Sequence, residues 1–307
     1  MVAGSNPAGP VHLSAICSNL DSGVNTRINT SGAELLSQFK EFCRIDRNLS
    51  ERTVSENNGY PFQVRRFLES IDKHPTQATA VDVRSFLSRF QDRSASTRAN
   101  ILKAFKVFFR DFMKMPWVVE SFKFPKRIYT PKTVPSKEDL RRFFDALEND
   151  RDRALFLMYA TSGLRRTELL GLTLDDLNLE NRTIIPKNAH NGTTKNTWAT
   201  CFNAETQTYL RQYLANRETS DNRLFPISEV TLRRAYREAN SKTGLHVKPQ
   251  VLRDWFCCQL GELGVPDRYV DAFCGRVPKS VLARHYSDFS PHKLKTIYDK
   301  ANLAILT

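Results

Sequence analysis

The 307-residue chain has no apolar run approaching the roughly 20 residues that a membrane-spanning helix needs, so its composition excludes a helical membrane protein. Its N-terminus carries little positive charge and no apolar signal core. The six cysteines, at positions 17, 43, 201, 257, 258 and 274, form no Cys-x-x-Cys pair and no disulfide-like spacing. These absences point to reduced thiols inside a cell. Cys257, Cys258, Cys274, His285 and His292 also lack a recognised zinc-ligand spacing, which disfavours a zinc module. Acidic residues are scarce beside basic ones, 33 against 46, and the resulting net charge of +13 favours a polyanionic partner, nucleic acid ahead of anionic lipid. No internal repeat is present.

Residues 1–30 are rich in Gly, Pro, Ser and Asn without sustained periodicity and read as a flexible arm. Helical spacing begins near Ser31 with Leu35, Leu36, Phe39, Phe42 and Cys43, continues with Val64, Phe67, Leu68 and Ile71, and returns with Val81, Phe86, Leu87 and Phe90. A fourth helix is expected from about Thr97 to Met113, with Lys103, Lys106, Arg110 and Lys114 along one stripe. That stripe suits a phosphate backbone as well as it suits ordinary solvent. The segment FPKRIYTPKTVPS, Phe124 to Ser136, holds three prolines and, with Lys137, four basic residues, so 124–135 reads as a basic linker between a helical domain over 31–123 and a second domain over 136–307. Ser136 opens a capping-box pattern, SKED. Two β-like runs, Thr183 to Ile185 and Thr197 to Phe202, flank the hairpin-like NAHNGTTKN. Helices are then expected over Ala204 to Ala215, Ser228 to Asn240, Pro249 to Leu263, Pro266 to Phe273, Lys279 to Asp288 and Pro291 to Ile305. The class is mainly α with a small β-hairpin or sheet, α+β.

Two arginines, Arg165 and Arg166, interrupt the apolar stretch ATSGLRRTELLGL. Arg165 has Glu168 three residues on, which suits a buried ion pair and equally an oriented phosphate clamp. Arg253 interrupts another apolar segment, QVLRDWF. Arg276 follows Cys274 and Gly275 at a helix end, where a cation is favoured by the helix dipole alone. Tyr286 in ARHYSD shares a helical face with Leu282 and Phe289, the pattern of a packed core tyrosine. Lys187 and Lys195 flank the hairpin turn.

Taken in order, these motifs resemble the boxes of the tyrosine recombinase, or phage integrase, family. SGLRRTELLGL is similar to its first box, with Arg165 in the catalytic slot and Glu168 as its partner. QVLRDWF resembles the second box, with Arg253 catalytic and Gln250 where histidine is commonest. CGR places Arg276 where that family carries Gly-His or Gly-Trp, and ARHYSD places Tyr286 at the nucleophile. The departures at Gln250 and Arg276 resemble the archaeal virus and plasmid integrases. The resemblance implies a helical core-binding domain followed by a catalytic domain, double-stranded DNA attachment sites as substrate, a homo-tetramer in the synaptic complex from a free monomer, and a cytoplasmic, nucleoid-associated enzyme.

The chemistry matches these residue types. A phosphodiester under attack gathers charge on its non-bridging oxygens, and fixed guanidinium donors stabilise it without a metal. A tyrosine with a reference pKa of about 10 needs such a pocket or a base to become a nucleophile. Tyr286 is then expected to form a 3′-phosphotyrosyl bond, and Lys195, with Lys187 as the alternative, to protonate the leaving 5′-oxygen. No cofactor is expected, because the protein–DNA bond conserves the energy of the broken linkage. Arg166 is expected to face solvent or the DNA backbone. The tail from Pro291 suits docking on a neighbouring subunit or packing on its own domain. A type IB topoisomerase and an inactive DNA-binding relative are the competing readings. Finally, Ala3 to Ala8, AGSNPA, can be encoded as GCGGGTTCGAATCCCGCC, a self-complementary stem around a tRNA T-arm loop. That string makes a tRNA gene the expected integration target.

Overall fold

The computed structural model describes residues 32–71, 73–126, 128–187, 198–276 and 280–307. The arm over 1–30, the turn NAHNGTTKN and Lys195 lie outside the described residues. The chain divides into two compact units, one ending at Thr130 and one beginning at Pro131.

The first unit contains α1 (Gly32–Ile45), α2 (Tyr60–Leu68), α3 (Ala80–Ser88) and α4 (Ala95–Phe105). Thr79 and Asp82 form a reciprocal capping box at the start of α3. The expected single helix from Thr97 to Met113 is instead α4 followed by a π-helical segment, Lys106–Phe112, in which Met113 N–H donates to Phe108 O. The wider winding turns Phe108, Phe109 and Phe112 inward together, and all three are buried. They join Phe39, Phe67 and Phe105 in a core knitted by edge-on and tilted rings, such as Phe39–Phe108 and Phe67–Phe105, each with centroids 5.0 Å apart. Each such pair adds roughly 0.5–1.5 kcal/mol beyond its buried area. Val81, counted with the apolar stripe of α3, is exposed, and Val83 takes the buried place.

The second unit runs through α5 (Lys137–Asp145), α6 (Asp150–Ser162), α7 (Arg166–Leu170), a sheet of β1 (Leu177–Asn178), β2 (Thr183–Ile184) and β3 (Thr200–Cys201), then α8 (Ala204–Ala215), α9 (Glu229–Thr243), α10 (Pro249–Glu262), α11 (Asp267–Phe273), α12 (Val281–His285) and α13 (Pro291–Ala301). The expected hairpin gains a third strand: β1 and β3 both pair antiparallel with β2, Leu177 opposite Ile184 and Ile184 opposite Thr200. Strand β1 escapes the sequence pattern because two residues are too few for alternation to register. Helix α6 is buried on every side from Ala154 to Ser162, against α8 and α10. A helix apolar all round belongs in the middle of its domain.

Two expected helices shorten. Of the helix expected over Lys279 to Asp288, the described residues 280–288 are helical only over α12, and α13 stops at Ala301, where Asn302 takes a left-handed conformation at φ 49°. Beyond that stop the chain still enters the core, with Leu303 and Ile305 buried. The Glu205 carboxylate accepts from the backbone N–H groups of Ile305, Leu306 and Thr307 at 2.8, 2.8 and 2.9 Å, while Arg141 Nε donates to Ile305 O at 2.8 Å. Together with buried Leu294 and Tyr298, these bonds seat the tail on its own domain.

Candidate active site

Gly163 ends α6 with φ +67°, a left-handed C-cap that a side chain would strain. A Cβ there would also come within 2.5 Å of the Phe256 ring. This tight turn directs the chain into α7, whose first-turn residue Glu168 performs two tasks. Its Oε2 accepts the Arg165 backbone N–H at 2.6 Å, and its Oε1 accepts Arg165 Nη1 at 2.6 Å. The carboxylate therefore caps the helix and fixes the guanidinium that precedes it.

Arg253 rises from α10 into the same place. It is only 3% exposed; its Nη1 donates to Gly163 O, and its Nη2 to Cys274 O at 2.7 Å. Nη1 also stands 3.9 Å from Glu168 Oε2, so one carboxylate faces both arginines. Burial foremost, with the like charges of Arg165 and Arg276 behind it, lowers the pKa of Arg253 from its ordinary value, and Glu168 opposes the shift. Arg276 follows the left-handed Gly275 at the end of α11. Its Nη1 meets Asp271 at 3.1 Å, and its Nη2 lies 3.9 Å from Cys257 Sγ. Three cationic groups from three separate elements thus share one neighbourhood, braced by Glu168 and by two backbone carbonyls.

Gln250 is exposed and donates to Asp254 Oδ1 at 3.1 Å, and Asp254 Oδ2 accepts from Lys132 Nζ at 2.8 Å. The sequence reading missed this chain of contacts, because Lys132 lies 122 residues from Asp254 and nothing local links them. The backbone acceptors of Arg253 were equally invisible, since carbonyl groups leave no mark on residue identity. Lys187 is described only at the rim of the sheet, where its backbone N–H donates to Asp176 at 2.7 Å.

Tyr286 caps α12 and is 78% exposed, with Leu282 and Val281 beside it also exposed, which overturns the packed core tyrosine. Among the described residues no hydrogen bond joins its side chain to the arginines. Tyr298 is fully sequestered instead: its hydroxyl donates to Thr161 O at 2.7 Å, and burial pushes its pKa well above the ordinary phenol value. Tyr269 is buried as well. Arg166, expected to face solvent or the DNA backbone, has a protein partner. Its side chain is half-buried and paired with Glu229 at 3.0 Å, because α9 begins beside α7.

Comparison with known proteins bears on the whole arrangement. Residues 134–292 match the phage integrase family, and residues 35–118 match the phage integrase N-terminal SAM-like domain. The chain is similar to tyrosine recombinase XerA of Pyrococcus furiosus, 25% identical over 293 residues that cover 90% of this chain and 97% of the relative. XerA of Saccharolobus solfataricus is 26% identical over 209 residues, covering 64% of this chain and 70% of the relative. In fold it resembles the lambda integrase tetramer solved on a Holliday junction, with a TM-score of 0.62, 15% identity and coverage of 88% of this chain and 80% of that one. With half of its length and the whole arginine cluster inside the matched region, the chain belongs to the phage integrase family, the tyrosine recombinases that break and rejoin DNA strands.

Proposed function

We propose that this protein exchanges strands between two double-stranded DNA sites through a 3′-phosphotyrosyl intermediate. The observation that carries the proposal is the seating of Arg253, a guanidinium 3% exposed and fixed by two carbonyls beside Glu168 and Arg165. Rigid cations in a dry site stabilise charge as it develops on the phosphate and need no reorganisation at the moment of reaction. Arg165 and Arg253 take the non-bridging oxygens, and Arg276 supplies a further donor at the rim. Tyr286, on an exposed turn, gives up its phenolic proton to water and attacks phosphorus; the P–O bond to the 5′-oxygen breaks, and Lys195, with Lys187 as the alternative, gives that oxygen its proton. Gln250 has no titratable proton and acts only as an amide donor. Attack of a second 5′-hydroxyl on the phosphotyrosine restores the DNA without ATP or a redox cofactor.

The helical unit holds the duplex, with Lys103, Lys106, Arg110 and Lys114 along its phosphates, and the unit after the 124–135 linker performs the chemistry. The protein is a monomer when free, its tail seated on its own domain, and a homo-tetramer across two synapsed sites; the similar lambda integrase is a tetramer on a Holliday junction. It acts in the cytoplasm, on the nucleoid. The target is a tRNA gene, and the support for this is AGSNPA near the N-terminus, whose codons can spell a T-arm.

Two plasmids, each carrying one candidate site, test the reaction: recombinant products should form only when both sites are present. Relaxation of plasmids without sites, in place of exchange, assigns the protein to the type IB topoisomerases instead. Reading the natural codons for Ala3 to Ala8 tests the target, and codons that form no T-arm stem remove it.

A further inference from the structure

Two thiols that the cleavage chemistry leaves unused lie against the guanidinium cluster. Cys257 on α10 and Cys274 at the C-cap of α11 are 17 residues apart in sequence, and their Sγ atoms are 3.4 Å apart. A disulfide needs an S–S distance of about 2.0 Å, so the two sulfurs must close by about 1.4 Å. Cys274 is the residue whose carbonyl receives Arg253 Nη2. Its Sγ also packs on Gly163, 3.2 Å from where a Cβ would stand, and Gly163 carries the carbonyl that receives Nη1. On the other side Cys257 Sγ lies 3.9 Å from Arg276 Nη2 and one helical turn beyond Arg253. The sulfur pair thus adjoins both acceptors of one arginine and a donor of another.

The two thiols also differ as reactants. Cys274 is fully buried, whereas Cys257 is only half-buried. The hydrogen bond with Cys274 foremost, and then the charges of Arg276 and Arg253, draw the Cys257 thiol below its ordinary range against the opposing effect of burial. A thiolate-prone, reachable sulfur beside a buried partner is the arrangement that reacts first and is then resolved.

We propose that Cys257 and Cys274 form a reversible disulfide on exposure to hydrogen peroxide, and that this bond switches strand cleavage off by displacing the carbonyls that hold Arg253. The Cys257 thiolate attacks one peroxide oxygen; an S–O bond forms, the O–O bond breaks, and hydroxide leaves to take a proton. The Cys274 sulfur then attacks the sulfenic sulfur; the S–S bond forms, the S–O bond breaks, and the departing hydroxide takes the Cys274 proton. Two thiols lose two electrons and the peroxide becomes two waters. Closing the bond moves the two sulfurs about 1.4 Å relative to one another, in the residue that also supplies the carbonyl to Arg253 Nη2 and packs on Gly163. A misplacement near 1 Å in such a site costs roughly a hundredfold in rate. The switch rests on the role given to Arg253 under Proposed function.

The test uses the full chain carrying Cys17→Ser and Cys258→Ser, which leaves the pair and the buried Cys43 and Cys201. After peroxide and iodoacetamide, peptide mass mapping should show Cys257 linked to Cys274. Cleavage of a nicked suicide duplex should fall by roughly tenfold or more and return with dithiothreitol, while DNA retention in a gel changes much less. Adding Cys257→Ser should abolish the link and leave the cleavage rate the same before and after peroxide. Free thiols at both positions after peroxide, a mapped bond with cleavage unchanged, or peroxide inhibition that survives Cys257→Ser would each overturn the switch. A protein that forms the bond yet cleaves nothing even in dithiothreitol contradicts the recombinase reading itself, and the switch falls with it.

Discussion

Glu168 holds Arg165 through two hydrogen bonds of 2.6 Å and faces Arg253 Nη1 across 3.9 Å, so a single carboxylate sets the spacing of two cations from different helices. Glu168→Gln keeps the shape but removes the charge that offsets both guanidiniums. Cleavage is expected to fall by roughly a hundredfold in single-turnover assays, with DNA affinity little changed because affinity for a duplex is spread over many phosphate contacts. A variant that cleaves at the normal rate would show that the carboxylate only caps α7.

Arg253→Ala and Arg165→Ala should each lose cleavage by roughly a hundredfold or more while retaining DNA in a mobility-shift assay. They should differ in stability. Arg253→Ala leaves the carbonyls of Gly163 and Cys274 without their donor in a dry site and should destabilise the fold by about 1–3 kcal/mol for each acceptor. Arg165 is a quarter exposed, so its loss should cost less. Denaturant titration of both variants measures the difference; equal stability would mean that the carbonyls find other partners.

Gly163→Ala should cripple the enzyme through position alone. Its φ of +67° disfavours any side chain, and the added methyl meets Phe256 on the helix that carries Arg253. The expected result is a loss above about 1 kcal/mol in stability together with slower cleavage. Wild-type cleavage in this variant would show that the turn tolerates movement and that Arg253 is not held by it.

The tail makes a separate prediction. Glu205→Ala removes one acceptor from three backbone N–H groups and should destabilise the isolated monomer by about 1–3 kcal/mol, with synapsis impaired only as far as folding is. An unchanged melting temperature with loss of tetramers in sedimentation would instead place the tail on a neighbouring subunit.

Much of this was legible in the sequence, for reasons that also mark where legibility ended. Arg165 and Arg253 stood out because a cation inside an apolar helical stretch must have a partner, and Glu168 at the third position supplied one. The α5 start was readable because Ser136 and Asp139 satisfy each other's backbone. Tyr286 was not readable as exposed, since Leu282 and Phe289 gave it the spacing of a core face; α12 ends at His285, and periodicity has no meaning once the helix stops. The partner of Arg166 was not legible because Glu229 comes from a helix 63 residues later, a pairing that only the tertiary fold creates. The same holds for the thiol pair, whose spacing along the chain resembles no motif and whose proximity follows from α11 turning back on α10.

Covalent trapping on a nicked suicide duplex would show Tyr286 acting as the nucleophile, because loss of the short fragment beyond the nick strands the intermediate. The expected result is a protein–DNA adduct whose peptide map places the 3′-phosphate on Tyr286, and Tyr286→Phe, changed only at an exposed side chain, should fold and bind DNA yet form no adduct. An adduct that persists in Tyr286→Phe, or that maps to Tyr298 or Tyr269, would contradict it.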